Sequence, residues 1–320
     1  MANSWGCCLL RATVLAQALW LGASHLAAFA TLPATDIELI TYCDSAQSNQ
    51  DTAYPGLFDE FTVFGGLDGS KQPQDFGVNA NFGGQFHINW GIPLSEQLGL
   101  GMQVGHTLVA TDNAVRVYEL VGEARGRVQH FTTIGLFQRS DSGFAWGAAY
   151  DWLNQDSYDE FRVEQLRLRV AQDLGPCDQI GITANIGTRG DQGNFNATPV
   201  RLQAIDQGHL YWRHWWPTGT QTTAWGGIAG GHGENNAVTG VAPRFGSSFL
   251  MGADIYAPLT CRLAIYGETN LIFPSDTGTV DAFLGIEFRP GSNTRMARRG
   301  RFAPILPVAS PTSFAVDLLQ

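Results

Sequence analysis

Six histidines follow residue 30: His87, His106, His130, His209, His214 and His232. Nucleophilic hydrolysis needs one of them beside a reactive hydroxyl, and acid–base chemistry needs paired carboxylates in a cleft or at a rim. No local spacing joins a histidine to a serine in such a pattern. His232 in "GGHGENN" stands two residues from Glu234, where it could touch a metal, but a solvated glycine-rich loop is the simpler reading. "RGD" at 189–191 is three common residues, and Gly226-Gly227 and Gly230-Gly231 lack the strand-to-helix setting of a phosphate loop. No catalytic, cofactor-binding or metal-ligating residue is assigned, and a hydrolase is the minor reading.

The polar side chains do share a period. In "GVNANFGGQFHINWGI", Gly77 to Ile92, Val78, Phe82, Phe86, Ile88 and Trp90 alternate with Asn79, Asn81, Gln85, His87 and Asn89. Successive side chains of a β-strand point to opposite faces, so the pattern predicts a strand with one apolar and one polar face. "VDAFLGIEFRP" repeats it, setting Val280, Leu284, Ile286 and Phe288 against Asp281, Glu287 and Arg289. Such stretches predict about twelve strands, over 60–69, 77–92, 98–111, 128–140, 143–154, 161–174, 178–190, 208–217, 221–231, 248–258, 261–273 and 279–289, with 10 or 14 as alternative strand numbers.

Every second connection is a tight turn ("PLSEQ", "SDS", "GPCD", "TGT", "PLT"), and the others include all the long loops. If antiparallel neighbours run up and down, the long loops gather at one end, as in an outer-membrane barrel. Strands of 10 to 16 residues match or exceed the ~9–11 that cross a bilayer at a tilt. The expected fold class is all-β: a transmembrane antiparallel up-and-down β-barrel preceded by a signal peptide.

Residues 1–30 carry one charge, Arg11, then the apolar run "ATVLAQALWLGA" and Ala28-Phe29-Ala30 in the small-x-small spacing of a processing site. This reads as an export signal, its apolar run being too short for a membrane helix. Cys7 and Cys8 leave with it. Cys43, Cys177 and Cys261 remain, an odd number that allows at most one internal bridge, and the spacing does not choose the pair. The predicted organisation is a signal peptide over 1–30, an N-terminal periplasmic segment over 31–59, a barrel over 60–290 and an Arg-rich tail over 291–320. A net charge of −10, with Lys71 the single lysine, argues against nucleic acid as a partner.

An Arg or Lys facing lipid at mid-bilayer costs about 2–4 kcal/mol, which assigns the two faces. The polar parity belongs in the lumen: Asp68, Asp151, Arg167, Arg169, Arg189, Arg213, Asp254, Arg262, Glu268, Asp281, Glu287 and Arg289, with Asn79, Asn81, Gln85, His87 and Asn89. The apolar parity faces lipid, including Val78, Phe82, Phe86, Ile88, Val280, Leu284, Ile286 and Phe288. Trp90, Trp146 and Trp212 join it as interfacial aromatics. Arg162 and Glu164 share the apolar parity near one end of their strand, where headgroups would solvate them. Six acids against six arginines in the lumen indicate no strong one-sign selectivity. Twelve strands fall between eight-stranded barrels filled by side chains and open sixteen-stranded porins. The expectation is a narrow, weakly selective pore or a plugged structural barrel, with outer-membrane lipid and small solutes as partners and no cofactor. A surface-binding or adhesion barrel using the long external loops is the alternative, ahead of an outer-membrane hydrolase.

Two segments could fill the lumen. "AVRVYELVGEARG" within 112–127 is consistent with a short helix. The tail clusters Arg295, Arg298, Arg299 and Arg301, which could bind the barrel's own periplasmic mouth, anionic lipid or the cell-wall polymer, or stay solvated. At "QPQDFGVNANFGGQ" (72–85), "DNAVRV" (112–117), "FTTIGLFQR" (131–139), "TPVRL" (198–202) and "DTGTVDAFLGI" (276–286) the chain resembles a family of uncharacterised planctomycete secreted proteins, a domain of unknown function of the outer-membrane barrel type. The resemblance implies a barrel and carries no site residues. Ordinary bacterial barrels end on an aromatic residue of the last strand, whereas Phe288 is followed by the tail, so an insertion signal here would be internal.

Overall fold

A computed structural model describes residues 58–75, 80–113, 122, 126–196, 198–231, 246–273 and 278–319. They belong to one compact unit, Tyr54–Gln320; the other, Met1–Ala53, lies outside the described residues, and with it the export signal and Cys43. Val78, Asn79, His232 and the expected helix after Asn113 also fall outside them.

Twelve strands close into an antiparallel barrel: β1 (Phe61–Lys71), β2 (Asn81–Ser95), β3 (Leu100–Asn113), β4 (Gly126–Arg139), β5 (Phe144–Asp156), β6 (Glu160–Asp173), β7 (Asp178–Arg189), β10 (Gln207–Trp215), β11 (Gln221–Ala229), β12 (Ser248–Pro258), β13 (Leu263–Ile272) and β14 (Thr279–Phe288). β14 pairs back to β1, from Val63 opposite Phe288 to Lys71 opposite Val280. Closure leaves no sheet edge unpaired, the condition for a sheet surrounded by lipid. Three further strands, β8 (Asp191–Phe195), β9 (Thr198–Ala204) and β15 (Val316–Leu319), form a separate sheet in the order β15-β9-β8. The sequence pattern treats 191–207 as an irregular loop, because strands of 5 and 7 residues are too short to show a period.

All twelve barrel strands coincide with expected ones, with ends displaced by a few residues. The opening stretch runs Asn81–Ser95, extended past Pro93 by a register shift against β3. Tight connections after β2, β4, β6, β10 and β12 share one end, the turn end. Those after β1, β3, β5, β7, β11 and β13 share the other, the loop end.

The two faces are inside-out relative to a water-soluble protein. Leu67, Phe82, Ile182, Leu210, Ile228 and Leu284 are each 57–67% exposed on the outside, whereas Asp68, Asp151, Arg167 and Asp281 inside are at most 1% exposed. Phe86, Ile88, Val280, Ile286 and Phe288 face outward as assigned. Trp90, Trp146 and Trp212 share that face near the turn end, where Trp90 stacks on Phe58 at 5.5 Å.

Two lumen assignments are corrected. Arg189 faces outward, because the β6–β7 register shifts between Glu164 and Gln165: Glu164 pairs with Arg189 and Gln165 with Gly187, leaving Thr188 as the extra residue. A bulge moves every side chain beyond it to the opposite face. Arg262 precedes β13 in the turn after Pro258 and is exposed there; strand parity does not extend into a turn.

Candidate functional site

The interior is occupied by the chain's own C-terminal segment. Beyond β14, Asn293 caps a short 3-10 turn over Thr294–Met296 by accepting from the Arg295 amide. The Thr294 hydroxyl donates to the Thr260 carbonyl and its amide to the Cys261 carbonyl, fixing the segment at the turn end. The next twenty residues cross the lumen ("ARRGRFAPILPVASPTSFAV" from Ala297 to Val316) and join β9 at the loop end, where Val316 lies opposite Ala204.

The tail arginines Arg298, Arg299 and Arg301 are engaged by the barrel. Arg298 is partly buried with its guanidinium over the rings of Tyr266 (4.1 Å) and Tyr256 (5.0 Å), and lies 3.8 Å from Asp254. Arg299 sits over Trp215 and donates to the Pro176 carbonyl, and Arg301 pairs with Asp141 at 3.0 Å. Pro176 and Asp141 belong to tight turns, so this cluster binds the barrel's own mouth, one of the partners anticipated for it.

A buried peptide must satisfy its backbone. Pro304, Pro307 and Pro311 have no N–H to satisfy, and their fixed φ favours an extended chain. Carbonyls are met from the wall in order along the tail: Ala303 by Arg139 Nε (3.0 Å), Ile305 by Arg169 Nη1 (2.9 Å), Leu306 by Gln103 Nε2 (2.9 Å) and Pro307 by Arg167 Nη2 (3.0 Å). Ser313 is met by Gln165 (3.2 Å) and Asn185 (3.1 Å). The Ala309 amide donates to Thr133 Oγ1 at 3.0 Å, and Gln72 holds the far end, accepting from the Val316 amide and donating to the Pro311 carbonyl. At the loop end Phe314, Val316 and Leu318 pack with the inward-facing Val109, Phe131, Leu153 and Val163 and with Leu202 of β9. The tail supplies the middle of an apolar core that a twelve-stranded wall alone cannot fill.

The remaining lumen charges form connected groups. Arg167 binds Asp151 through two hydrogen bonds. Thr223 bridges Arg213 and Asp254, donating to Asp254 at 3.0 Å while accepting from Arg213 Nε at 3.0 Å. Arg289 reaches Glu287 at 3.2 Å and Glu60 at 2.8 Å, where burial pushes the Glu60 carboxyl up against the pull of Arg289 and Arg139. Glu268 accepts from Tyr266 and from Thr312 of the tail. Asp281 accepts from Gln72. Asn81, Gln85 and His87 are buried on the same inner wall, and Asn89 accepts from Gln103. A polar cavity persists between tail residues 303–308 and the opposite wall, bordered by Arg169, His209, Arg213, Tyr266 and Glu268. Sequence reasoning missed Glu60, Gln72, Asp75 and Arg127, which lie at strand ends or in a connection; Arg127 pairs with Asp75 at 2.8 Å. Cys177 and Cys261, both in turn-end connections, are disulfide-bonded.

A family model described as a family of unknown function, DUF6666, matches residues 60–316. The chain belongs to that family. The match takes in the barrel and nearly the whole lumen-spanning tail. No curated protein matches it. Among solved structures it is similar to outer membrane phospholipase A from Escherichia coli, at 10% identity and a TM-score of 0.39 over 73% of this chain and 97% of that one. It is also similar to the KdgM porin (6%, 0.40, 71% and 98%) and to the toluene transporter TbuX of Ralstonia pickettii (10%, 0.40, 72% and 90%).

Proposed function

We propose that this DUF6666 chain is an exported outer-membrane β-barrel plugged by its own C-terminal tail, a structural barrel that does not pass solutes freely. The observation that carries this reading is the tail held across the lumen, with carbonyls at Ala303, Ile305, Leu306, Pro307 and Ser313 each bonded by a wall side chain. The apolar exterior supports placement in lipid, because an outward face of Leu, Ile and Phe is costly to leave in water. The turn end then faces the periplasm and the loop end the outside. The cavity beside the tail, with acids and arginines interspersed, supports a second reading in which a displaced tail opens a narrow, weakly selective pore.

Membrane fractionation and planar-bilayer recording test the proposal together. The full chain is expected in the outer-membrane fraction without stable conductance, and the chain lacking 291–320 is expected to conduct. Recovery from the soluble periplasm overturns the architecture, and steady conductance by the full chain overturns the plug.

A further inference from the structure

We propose that His106 and His130 form a two-histidine site on the outer wall for a divalent transition-metal ion of the zinc class. The inference goes beyond the plug, and its geometry stands on the wall alone. His106 lies on β3 opposite Thr132 of β4, and His130 lies two residues along β4, opposite Leu108, so the two rings share the outward face as a diagonal pair. His106 Nε2 and His130 Nδ1 approach to 3.4 Å, with the rings tilted by 36°. As a hydrogen bond that distance is long, because N–H donors ordinarily sit about 2.7–3.2 Å from their acceptors. As a pair of ligands it fits: two imidazole nitrogens bound at 2.0–2.1 Å to one tetrahedral ion stand about 3.3–3.4 Å apart. His106 Nδ1 lies 3.1 Å from Thr132 Oγ1. With the proton on Nδ1 donated to that hydroxyl, Nε2 keeps its lone pair, the arrangement by which a partner on the far ring nitrogen fixes the tautomer and angle of a ligating histidine.

The surroundings favour a cation at the edge of the bilayer. His130 is the ninth residue of β4 counted from Gln138 (138 − 130 + 1), where Trp146 marks the turn end by donating to Gln138 at 2.8 Å, and ~9–11 residues cross a bilayer at a tilt. On β5 the outward face changes at the same height from the aromatic pair Tyr150 and Trp152 to Asn154 and Asp156, with Trp152 opposite Thr132 and Asn154 opposite His130. Water therefore reaches the histidines from the loop side while apolar wall lies below them. The described charged side chains around the pair on this face are Asp112, Asp156, Glu160 and Glu164 against Arg162 and Arg189, a net negative surround. Among the described residues no third histidine, cysteine or carboxylate joins the pair, so two positions of a tetrahedral ion fall to water or an outside ligand. Imidazole donors suit zinc, copper and nickel rather than magnesium or calcium.

The test titrates Zn²⁺ into the full chain, folded in detergent, in the presence of excess Mg²⁺. Wild type is expected to bind one Zn²⁺ that H106Q, H130Q and H106Q/H130Q do not bind over the same concentration range. Thr132 is a positioning residue, so T132V is expected to bind about tenfold more weakly, whereas T132S, which keeps the hydroxyl, matches wild type. A second measurement needs no variant: Zn²⁺ is expected to shield both His106 and His130 of wild type from diethyl pyrocarbonate, read by peptide mass mapping. Equal Zn²⁺ binding by wild type and H106Q/H130Q overturns the site, as does modification of the two histidines at the same rate with and without Zn²⁺. Neither readout requires a bilayer or an empty lumen, so failure of the plug or of the membrane placement is scored separately.

Discussion

Arg167 on β6 holds Asp151 on β5 with two hydrogen bonds, Nε to Oδ2 at 2.5 Å and Nη2 to Oδ1 at 2.9 Å, and the same Nη2 donates to the Pro307 carbonyl at 3.0 Å. Both side chains are almost fully buried. Asp151 also accepts from Thr133, whose hydroxyl in turn accepts from the Ala309 amide. One ion pair in the wall therefore sets two hydrogen bonds to the plug.

Breaking that pair leaves an uncompensated guanidinium inside the barrel. Asp151→Asn is expected to destabilise the protein by about 3–5 kcal/mol, the cost of removing one partner of a buried pair. A urea titration followed by gel mobility of the folded and unfolded forms would read this as a lower midpoint. D151L/R167M, which removes both charges, should lose less than D151N, because no charge is left unpaired. An unchanged midpoint for D151N would show that the pair is open to solvent.

Gly105 offers a way to move the plug while leaving its sequence intact. A Cβ at this position would lie 2.5 Å from Val308 Cγ2 and 3.0 Å from Cγ1. Gly105 faces inward on β3 between Gln103 and Thr107. Gly105→Leu is expected to give a folded barrel with conductance events that the parent lacks, and easier proteolysis between residues 297 and 310. Silence in the bilayer with unaltered proteolysis would mean that the wall can accommodate the larger side chain around a stationary tail.

A traverse of the lumen changes which side the end of the chain reaches. β15 pairs with β9 in the connection from β7 to β10, so the chain enters β1 at the turn end and finishes at the loop end. An epitope appended after Gln320 is expected to be stained by antibody on intact cells, and one inserted in the tight turn at Ser142 only after permeabilisation. Staining of both, or of neither, on intact cells would contradict this path.

The barrel was legible because its signal is a period of two repeated over strands of nine or more residues. Asp281, Glu287 and Arg289 stand on the inner face as their parity requires. Parity turns Arg189 inward because a bulge is invisible to it, and Gly187 beside the extra residue looks like any other strand glycine. The plug was harder to see. Its imprint lies in the wall, where Val109, Phe131, Leu153 and Val163 put apolar residues on the inward parity near the loop end. Strands apolar on both faces there mean that something apolar lies inside. In the tail itself, "APILPVASP" has the composition of a linker, and only the donors lined up on β3 (Gln103), β4 (Arg139) and β6 (Arg167) give it a place.

Residues 303–316 lie within the barrel, and a cross-link between wall and tail is the sharpest check of that path. Gly105→Cys combined with Val308→Cys, in a chain carrying a protease site between Gly291 and Asn293, places two thiols at the contact described above. After mild oxidation and cleavage, the tail fragment is expected to remain covalently attached to the barrel until reductant is added, while either single variant releases it on denaturation. Release of the tail from the oxidised double variant, at the level seen for the single variants, would contradict the account.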